Sequence, residues 1–316
     1  MKYLYAAVTV FLIVYLLTPI LIKLSIKMDF FDKPTERKKQ KSPIPLLGGV
    51  GVYIGFFCGY LIFMRPIGKE FFYILISSLL VFGIAIIDDW HKTKGKEFAV
   101  LPRLIIQIIS AAIIYHSGIA FTGYTDPFTN TYIMLPVGIS FLLTITWIVG
   151  LTTVINWSDG VDGLAGSISA IAGSTLFIVA LAKNQTDSAM MAILVVGALI
   201  GFLKYNKYPA KIYIGDSGAN FSGFILAIIA LDGAFKQVTM ISIGIPILVL
   251  GVPIFDNIYV VIKRIIRGRP IYMADSTQFH HRLLSTGLTP KQVVAFISLI
   301  SLCLSLFSII ILLLNL

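Results

Sequence analysis

The chain has 316 residues, of which 57% are hydrophobic and only 13% charged, with a mean hydropathy of +0.91. Soluble globular domains carry about 25% charged residues, so this composition excludes an ordinary soluble enzyme and reads as an all-α, polytopic membrane protein forming a single integral-membrane domain over 1–316. The net charge of +10 would suit nucleic-acid binding, but the distribution of the basic residues argues for membrane topology and against a nucleic-acid partner.

Ten apolar runs of spanning length follow along the chain, at roughly 3–22, 48–64, 71–87, 101–117, 136–155, 164–182, 189–205, 218–235, 239–262 and 293–315. Each matches a helix crossing a hydrocarbon core about 30 Å thick. The first lacks a small-residue cleavage site and is read as a retained span. Cys58 and Cys303 both fall inside apolar runs, which argues against a disulfide framework. The connections at 23–47, 88–103, 156–163, 204–217 and 263–292 carry 20 of the 25 Lys and Arg residues. Lys2, Arg65, Lys69, Lys183 and Lys236 are the remainder. The positive-inside rule makes the first set cytoplasmic and puts both termini outside. Counting Asp256, 11 of the 15 acidic residues lie on that same side, which no orientation rule requires.

Four motifs concentrate polar groups there. The third run ends in Asp88 and Asp89, directly before a Lys-rich segment containing Lys92, Lys94 and Lys96. Solvated ion pairs with those lysines are one account, and a metal or phosphate site is the other. The stretch NWSDGVDGLAGS places Asn156, Asp159 and Asp162 three residues apart among glycines, at the start of the sixth span. A helix start supplies N–H groups and a positive pole to an anion. Capping accounts for one acid, not three polar groups.

The stretch KYNKYPAKIYIGDSG surrounds Asn206 with Lys204, Lys207 and Lys211 and sets Asp216 between glycines before the eighth span. Mg2+ takes one or two carboxylates and leaves positions for water and substrate phosphates. The stretch FHHRLLSTGLTPKQ supplies His280, His281 and Arg282, then a helix start with Thr289, Pro290 and Gln292. Arg beside His suits a phosphate-rich ligand. Asp256 stands inside the ninth span, where an ionisable group is a functional candidate. Lys41, in the first basic connection, is also in reach of a phosphate. No GxxxxGK[ST] loop, HExxH helix or GxSxG elbow occurs. The residues alone therefore point to a Mg2+-dependent membrane enzyme acting on phosphates at the cytoplasmic face.

In order, DD at 88–89, NxxDGxDGLA at 156–165, NxYPAKxYxGDSG at 206–218 and HHRLxxxG at 280–287 resemble the polyprenyl-phosphate N-acetylhexosamine-1-phosphate transferases. The likeness covers essentially the whole chain. FHHRLLSTGL looks like the WecA/TagO-like branch, which uses UDP-N-acetylglucosamine, where the muramoyl-pentapeptide branch more typically shows three consecutive His. Ala219 stands where Ser is frequent. The resemblance implies transfer of N-acetylglucosamine 1-phosphate to undecaprenyl phosphate, releasing UMP, at the first membrane step of a surface glycan such as wall teichoic acid or the O-antigen of lipopolysaccharide. It implies Mg2+, with Mn2+ as a substitute, a bacterial plasma-membrane location and a homodimer.

By the same resemblance, Asp216 is the principal metal ligand. Asp88 and Asp89 engage or deprotonate the lipid phosphate near the metal, and Asp159 joins them as catalytic. Asn156, Asp159 and Asp162 shape the nucleotide and diphosphate pocket, while Lys41, Asn206, His280, His281 and Arg282 complete phosphate and sugar recognition. A phospho-N-acetylmuramoyl-pentapeptide transferase is the alternative within the family. From another class, an ion-coupled transporter would place its ionisable groups near the midplane, and a lipid-diphosphate phosphatase would need no nucleotide sugar.

Overall fold

The computed structural model describes residues 1–32, 43–126, 129, 131–234, 240–270 and 277–314. Twelve helices make up nearly all of it: α1 Lys2–Lys27, α2 Gly48–Phe63, α3 Lys69–Thr93, α4 Val100–His116, α5 Val137–Trp157, α6 Leu164–Ala182, α7 Thr186–Asn206, α8 Gly215–Ala234, α9 Met240–Val249, α10 Gly251–Ile266, α11 Phe279–Ser285 and α12 Pro290–Leu314. Two antiparallel pairs join them: β1 (Phe31–Asp32) with β2 (Ile44–Pro45), and β3 (Gly123–Thr125) with β4 (Tyr132–Met134).

The helices sort by where they put their apolar groups. Helix α8 is apolar on every side, and Phe221, Phe224 and Ile225–Ala230 are fully buried. A helix of that kind belongs inside a bundle. Helices α2, α3, α5, α6, α7 and α9 surround it. Helix α1 instead buries a single stripe, Ala6, Val10, Val14, Thr18, Leu21 and Ser25, at the spacing of one helix face. Its other side leaves Leu12, Leu16 and Ile20 exposed, and α12 does the same with Leu299, Phe307 and Leu313. Such outward aliphatic surface is stable in hydrocarbon and not in water.

The protein is therefore an all-α, multi-pass membrane protein. Among the described residues, α1, α3, α5, α6, α7 and α12 are long and apolar enough to cross a membrane. The second and fourth expected spans are the shorter apolar helices α2 and α4, and the eighth is the central α8. The ninth differs from expectation, because the run at 239–262 is two helices meeting at Leu250. Pro253 supplies the reason: it has no N–H to return to the carbonyl of Val249.

The five polar connections meet at one end of the bundle. Tyr213 donates its N–H to Pro45 O at 2.8 Å and accepts from Gly48 N at 3.0 Å, joining the 204–217 connection to β2 and α2. Asp89 receives N–H groups from the start of α8, Asp162 receives that of Ala210, and Gln278 donates to Trp157 O. Segments far apart in sequence thus form one polar surface, where every site residue of the sequence reading that is described resides.

Candidate active site

The centre of this surface lies where the end of α3, the start of α4 and the start of α8 converge. Asp88 and Asp89 are both nearly fully buried in the last two turns of α3. Successive helical residues point about 100° apart, and here that angle sends the two carboxylates to different partners.

Asp88 Oδ2 lies 2.6 Å from Arg103 Nη1 and 3.8 Å from Lys92 Nζ. Asp216, in the first turn of α8, shares the same two cations, with Lys92 Nζ at 2.5 Å from Oδ1 and Arg103 Nη1 at 3.7 Å from Oδ2. Two carboxylates from different helices therefore face one another across a Lys and an Arg. The backbone carbonyl of Asp216 accepts from Asn220 Nδ2, whose Oδ1 accepts from Gln107 of α4, so the site is tied to α4 a second time.

Asp89 is used differently. Its two oxygens accept the N–H groups of Asp216 at 2.8 Å and Ser217 at 3.0 Å, capping α8 from a helix more than a hundred residues away. The free N–H groups of a helix start and its positive pole make that a favourable seat for a carboxylate. Gly215 is required there twice. Its φ is +68°, a left-handed conformation that glycine adopts without strain, and a Cβ would come within 2.6 Å of Asp89 Oδ2.

Asp159 keeps part of its surface open while standing among these charges. Its carboxyl is pushed up to about 8, first by desolvation and then by the negative charge of Asp216, with Lys92 acting the other way. Asn156, one helical turn earlier, has its Oδ1 buried without a hydrogen-bond partner. Such an atom costs free energy unless something completes it, which suits a ligand-facing position.

The remaining sequence candidates brace the surroundings. Asp162 accepts the N–H of Ala210 at 2.9 Å and the Tyr213 hydroxyl. Burial holds its carboxyl above the usual carboxylate range, and those two hydrogen bonds offset only part of that rise. Asn206, nearly fully buried, donates to Ile212 O at 2.8 Å and so closes the turn before Asp216.

On α11, His280 is buried with its ring against Gly160, where an added Cβ would meet Nε2 at 2.0 Å. Burial pushes that imidazole down to about 3, so it is neutral at physiological pH. His281 lies ring to ring with it, centroids 4.3 Å apart. Arg282 pairs with Asp256 at 3.3 Å and lies over the Tyr259 ring at 4.3 Å. Asp256 also takes the N–H of Phe279 on both oxygens at 2.9 Å, capping α11 from α10. Lys41 lies outside the described residues.

Two residues at the centre were read from sequence only as surroundings. The sequence puts Lys92 in the Lys-rich segment after the third run, but α3 continues to Thr93, so Lys92 stands one turn after Asp88 on the same face. Arg103 belongs to the first turn of α4 and had no signal beyond its charge.

The oxygen donors of Asp88 and Asp216 suit a hard divalent cation, which needs only one or two carboxylates when water and phosphate oxygens fill the other positions. Among the described residues no three His, Cys, Asp or Glu groups form a closed metal cage.

Known proteins share this arrangement of sequence. Residues 71–234, which contain α3 from its third residue through the end of α8 and every centre residue above, match glycosyl transferase family 4. A probable undecaprenyl-phosphate N-acetylglucosaminyl 1-phosphate transferase of Bacillus subtilis is 34% identical over 299 residues, covering 95% of this chain and 82% of its own. A decaprenyl-phosphate N-acetylglucosaminephosphotransferase of Mycobacterium leprae is 28% identical, over 92% of this chain and 79% of its own. A phospho-N-acetylmuramoyl-pentapeptide-transferase of Clostridium beijerinckii is 28% identical, over 90% and 87%. With the match spanning the whole centre and a relative this similar along almost its entire length, the chain belongs to glycosyl transferase family 4.

Proposed function

We propose that the protein transfers N-acetylglucosamine 1-phosphate from UDP-N-acetylglucosamine to undecaprenyl phosphate, as the first membrane step of a surface glycan of the wall teichoic acid or O-antigen kind. The observation that carries this reading is the facing pair Asp88 and Asp216, shared by Lys92 and Arg103, at the polar end of a bundle whose flanks are aliphatic. A substrate with a prenyl tail and a phosphate head meets a water-soluble nucleotide sugar at just such a boundary. The relative that is 34% identical over 95% of this chain carries the N-acetylglucosaminyl name, which favours that donor over a muramoyl-pentapeptide.

In this reading an oxygen of the lipid phosphate attacks the β-phosphorus of the donor. The new P–O bond forms as the bridging bond to the α-phosphorus side breaks, and UMP departs with the bridging oxygen. A phosphate monoester has a second pKa near 6, so the nucleophile is largely ionised already. Asp88 and Asp159 then serve to place it rather than to strip a strong proton. Lys92 and Arg103 exchange part of their contact with Asp88 and Asp216 for phosphate oxygens, and Asp89 holds the start of α8 so that Asp216 stays in place. Asn156 Oδ1 offers an acceptor to the donor.

Asp216 and Asp88 would hold Mg2+, with Mn2+ able to replace it, and Asp89 lies beside them. The metal supplies Lewis-acid neutralisation of phosphate charge and a template for both substrates. Asp88 and Asp216 share Lys92 and Arg103, with Asp89 and Asp159 beside them, and a divalent ion would offset the acidic excess. It also favours the ionised form of Asp159.

The polar end is read as cytoplasmic and both termini as extracytoplasmic, in a bacterial plasma membrane, with the protein a homodimer. Two experiments test these assignments. Purified protein with undecaprenyl phosphate, Mg2+ and a panel of UDP-sugars should release UMP with UDP-N-acetylglucosamine and only when both lipid phosphate and metal are present. Release with the muramoyl-pentapeptide donor instead overturns the donor, and UMP-free hydrolysis overturns the reaction. In intact cells, a single Cys at position 126 should react with an impermeant reagent and one at position 94 should not; the reverse pattern overturns the topology.

A further inference from the structure

Helix α10 turns Phe255, Ile258, Tyr259, Ile262, Ile265 and Ile266 outward, as α1 and α12 do with their aliphatic side chains, and buries Asn257 and Arg264 beside Pro253 and Val260. A cation in the last turn of a membrane helix ordinarily snorkels outward to the headgroups. Arg264 turns the other way and is only 3% exposed, so positive-inside topology alone does not explain it, and sequestering a guanidinium carries a desolvation cost.

Its position supplies a reason. The guanidinium carbon lies 5.0 Å from the centroid of the Trp157 ring. Trp157 is the last residue of α5 and stands two residues before Asp159. A planar guanidinium stacks on an indole face in a way an ammonium does not, and a cation beside a helix C-terminus is favoured by the helix dipole. The same turn is held from the other side by Gln278 Nε2, which donates to Trp157 O at 3.1 Å. The backbone then turns immediately, with Asp159 N bonded to Asn156 O at 3.1 Å.

We propose that Arg264 is a positioning residue: lying over the Trp157 ring, it fixes the end of α5 and thereby the place of Asp159 relative to Asp88 and Asp216. The inference rests on the transferase reading of that acidic centre for its effect on rate, but not for the clasp itself.

The test uses full-length protein carrying Arg264→Met, Arg264→Lys, Trp157→Phe and Trp157→Leu. Displacing a catalytic group by about 1 Å costs up to roughly a hundredfold in rate. Arg264→Met and Trp157→Leu should therefore each lower kcat about 10- to 100-fold, while KM for both substrates stays within about threefold. Trp157→Phe keeps an aromatic face and should recover most of the rate. Arg264→Lys should fall between. Coupled residues give non-additive losses, so the double variant Arg264→Met/Trp157→Leu should be no slower than the slower single one.

A second readout is independent of turnover. In protein labelled with 5-fluorotryptophan, the chain's three Trp residues give three 19F resonances, that of Trp157 being the one lost in Trp157→Phe. Arg264→Met should shift that resonance and leave the other two, and Arg264→Lys should shift it less. Multiplicative losses in the double variant, a loss confined to donor KM, or an unmoved Trp157 resonance each overturns the proposal. A shifted resonance in protein that turns over no UDP-sugar upholds the clasp and removes the transferase reading instead.

Discussion

The polar surface has two halves built from similar residues and employed differently. On the α3–α8 side, Asp88 and Asp216 are met by side chains, Lys92 and Arg103. On the α10–α11 side, Asp256 spends both oxygens on the N–H of Phe279, and the ring of His280 rests on the backbone of Gly160. A side-chain cation can be traded for a metal ion or a phosphate by rotating a few bonds. A backbone amide at a helix start cannot leave without taking the helix with it. The first half can exchange partners during a reaction, whereas the second holds the elements around it.

The sharpest way to break this distinction is to neutralise one acid in each half. Asp216→Asn and Asp88→Asn should each lower turnover by at least ~10²–10³, the usual cost of losing one preorganised electrostatic group. Both variants should stay folded in detergent, Asp88→Asn near the wild-type melting temperature because Asp216 still holds Lys92 and Arg103, and Asp216→Asn somewhat below it because the 2.5 Å contact with Lys92 is given up. Asp256→Asn should instead lower the melting temperature and reduce activity only in proportion to the folded fraction. Near-normal turnover in Asp216→Asn would remove the α3–α8 half from the chemistry.

Asp89 tests the boundary, since it sits beside Asp88 in sequence yet is employed like Asp256. An Asn at that position offers one carbonyl and one NH2, and the NH2 would face the N–H of Asp216 or Ser217. Leaving a buried donor unmet costs about 1–3 kcal/mol. Asp89→Asn should therefore lose both stability and activity, in contrast to Asp88→Asn, and paired melting curves and assays of the two variants would show it. Equal stability in both would mean that the cap on α8 contributes little.

That split between neighbours marks where sequence reading stopped. Hydropathy located the helices, and the gathering of acids on one face located the surface, because both follow from what hydrocarbon excludes. Adjacent residues on a helix point about 100° apart, so that Asp88 and Asp89 diverge follows from their spacing. It could not show that Asp89 points at the start of α8, since that partner is set by packing across more than a hundred residues. Lys92 was misplaced because α3 outlasts its apolar run by a turn and a half, and a helix may continue through polar residues once tertiary partners such as Asp216 hold them. The break in the ninth span was readable in principle from Pro253, but the apolar run is continuous and hid it. Asp162 and Asn206 are ligand candidates because both are polar within glycine-rich or basic segments; their hydrogen bonds with Ala210, Tyr213 and Ile212 are partners that only the fold brings together.

A smaller effect sharpens the bracing role of α11. Gly160→Ala would bring a Cβ to within 2.0 Å of His280 Nε2, forcing a buried ring to move. Overpacking of this kind costs about 1–3 kcal/mol, and Gly160→Ala/His280→Ala should regain most of it. The same burial has a pH signature. The folded-state pKa of His280 is about 3, below the ordinary value of about 6.5. Between those values the unfolded chain binds a proton that the folded one refuses, so stability rises with pH across the window and the contribution is complete above it. His280→Gln should flatten that part of the stability profile. An unchanged slope would mean that the imidazole protonates in place.

The smallest expected effect is at Arg282, where the two halves come closest to sharing a role. Its guanidinium is held by Asp256 at 3.3 Å and lies over the rings of Tyr259 at 4.3 Å and Phe279 at 5.2 Å, yet 39% of the side chain remains exposed. A partly exposed ion pair contributes about 1 kcal/mol or less, so Arg282→Lys, which keeps the charge, should hardly change the melting temperature. What Lys loses is the planar fork, which stacks on rings and grips a phosphate through two parallel hydrogen bonds. If Arg282 also reaches the donor's diphosphate, Arg282→Lys should raise KM for the UDP-sugar by up to about tenfold, the cost of roughly one good hydrogen bond to a charged group. Lipid-phosphate KM and kcat should hold at wild-type values. Steady-state kinetics with each substrate varied in turn measures this directly. A wild-type donor KM in Arg282→Lys would confine Arg282 to bracing α11, and the exchangeable chemistry would then lie wholly on the α3–α8 side.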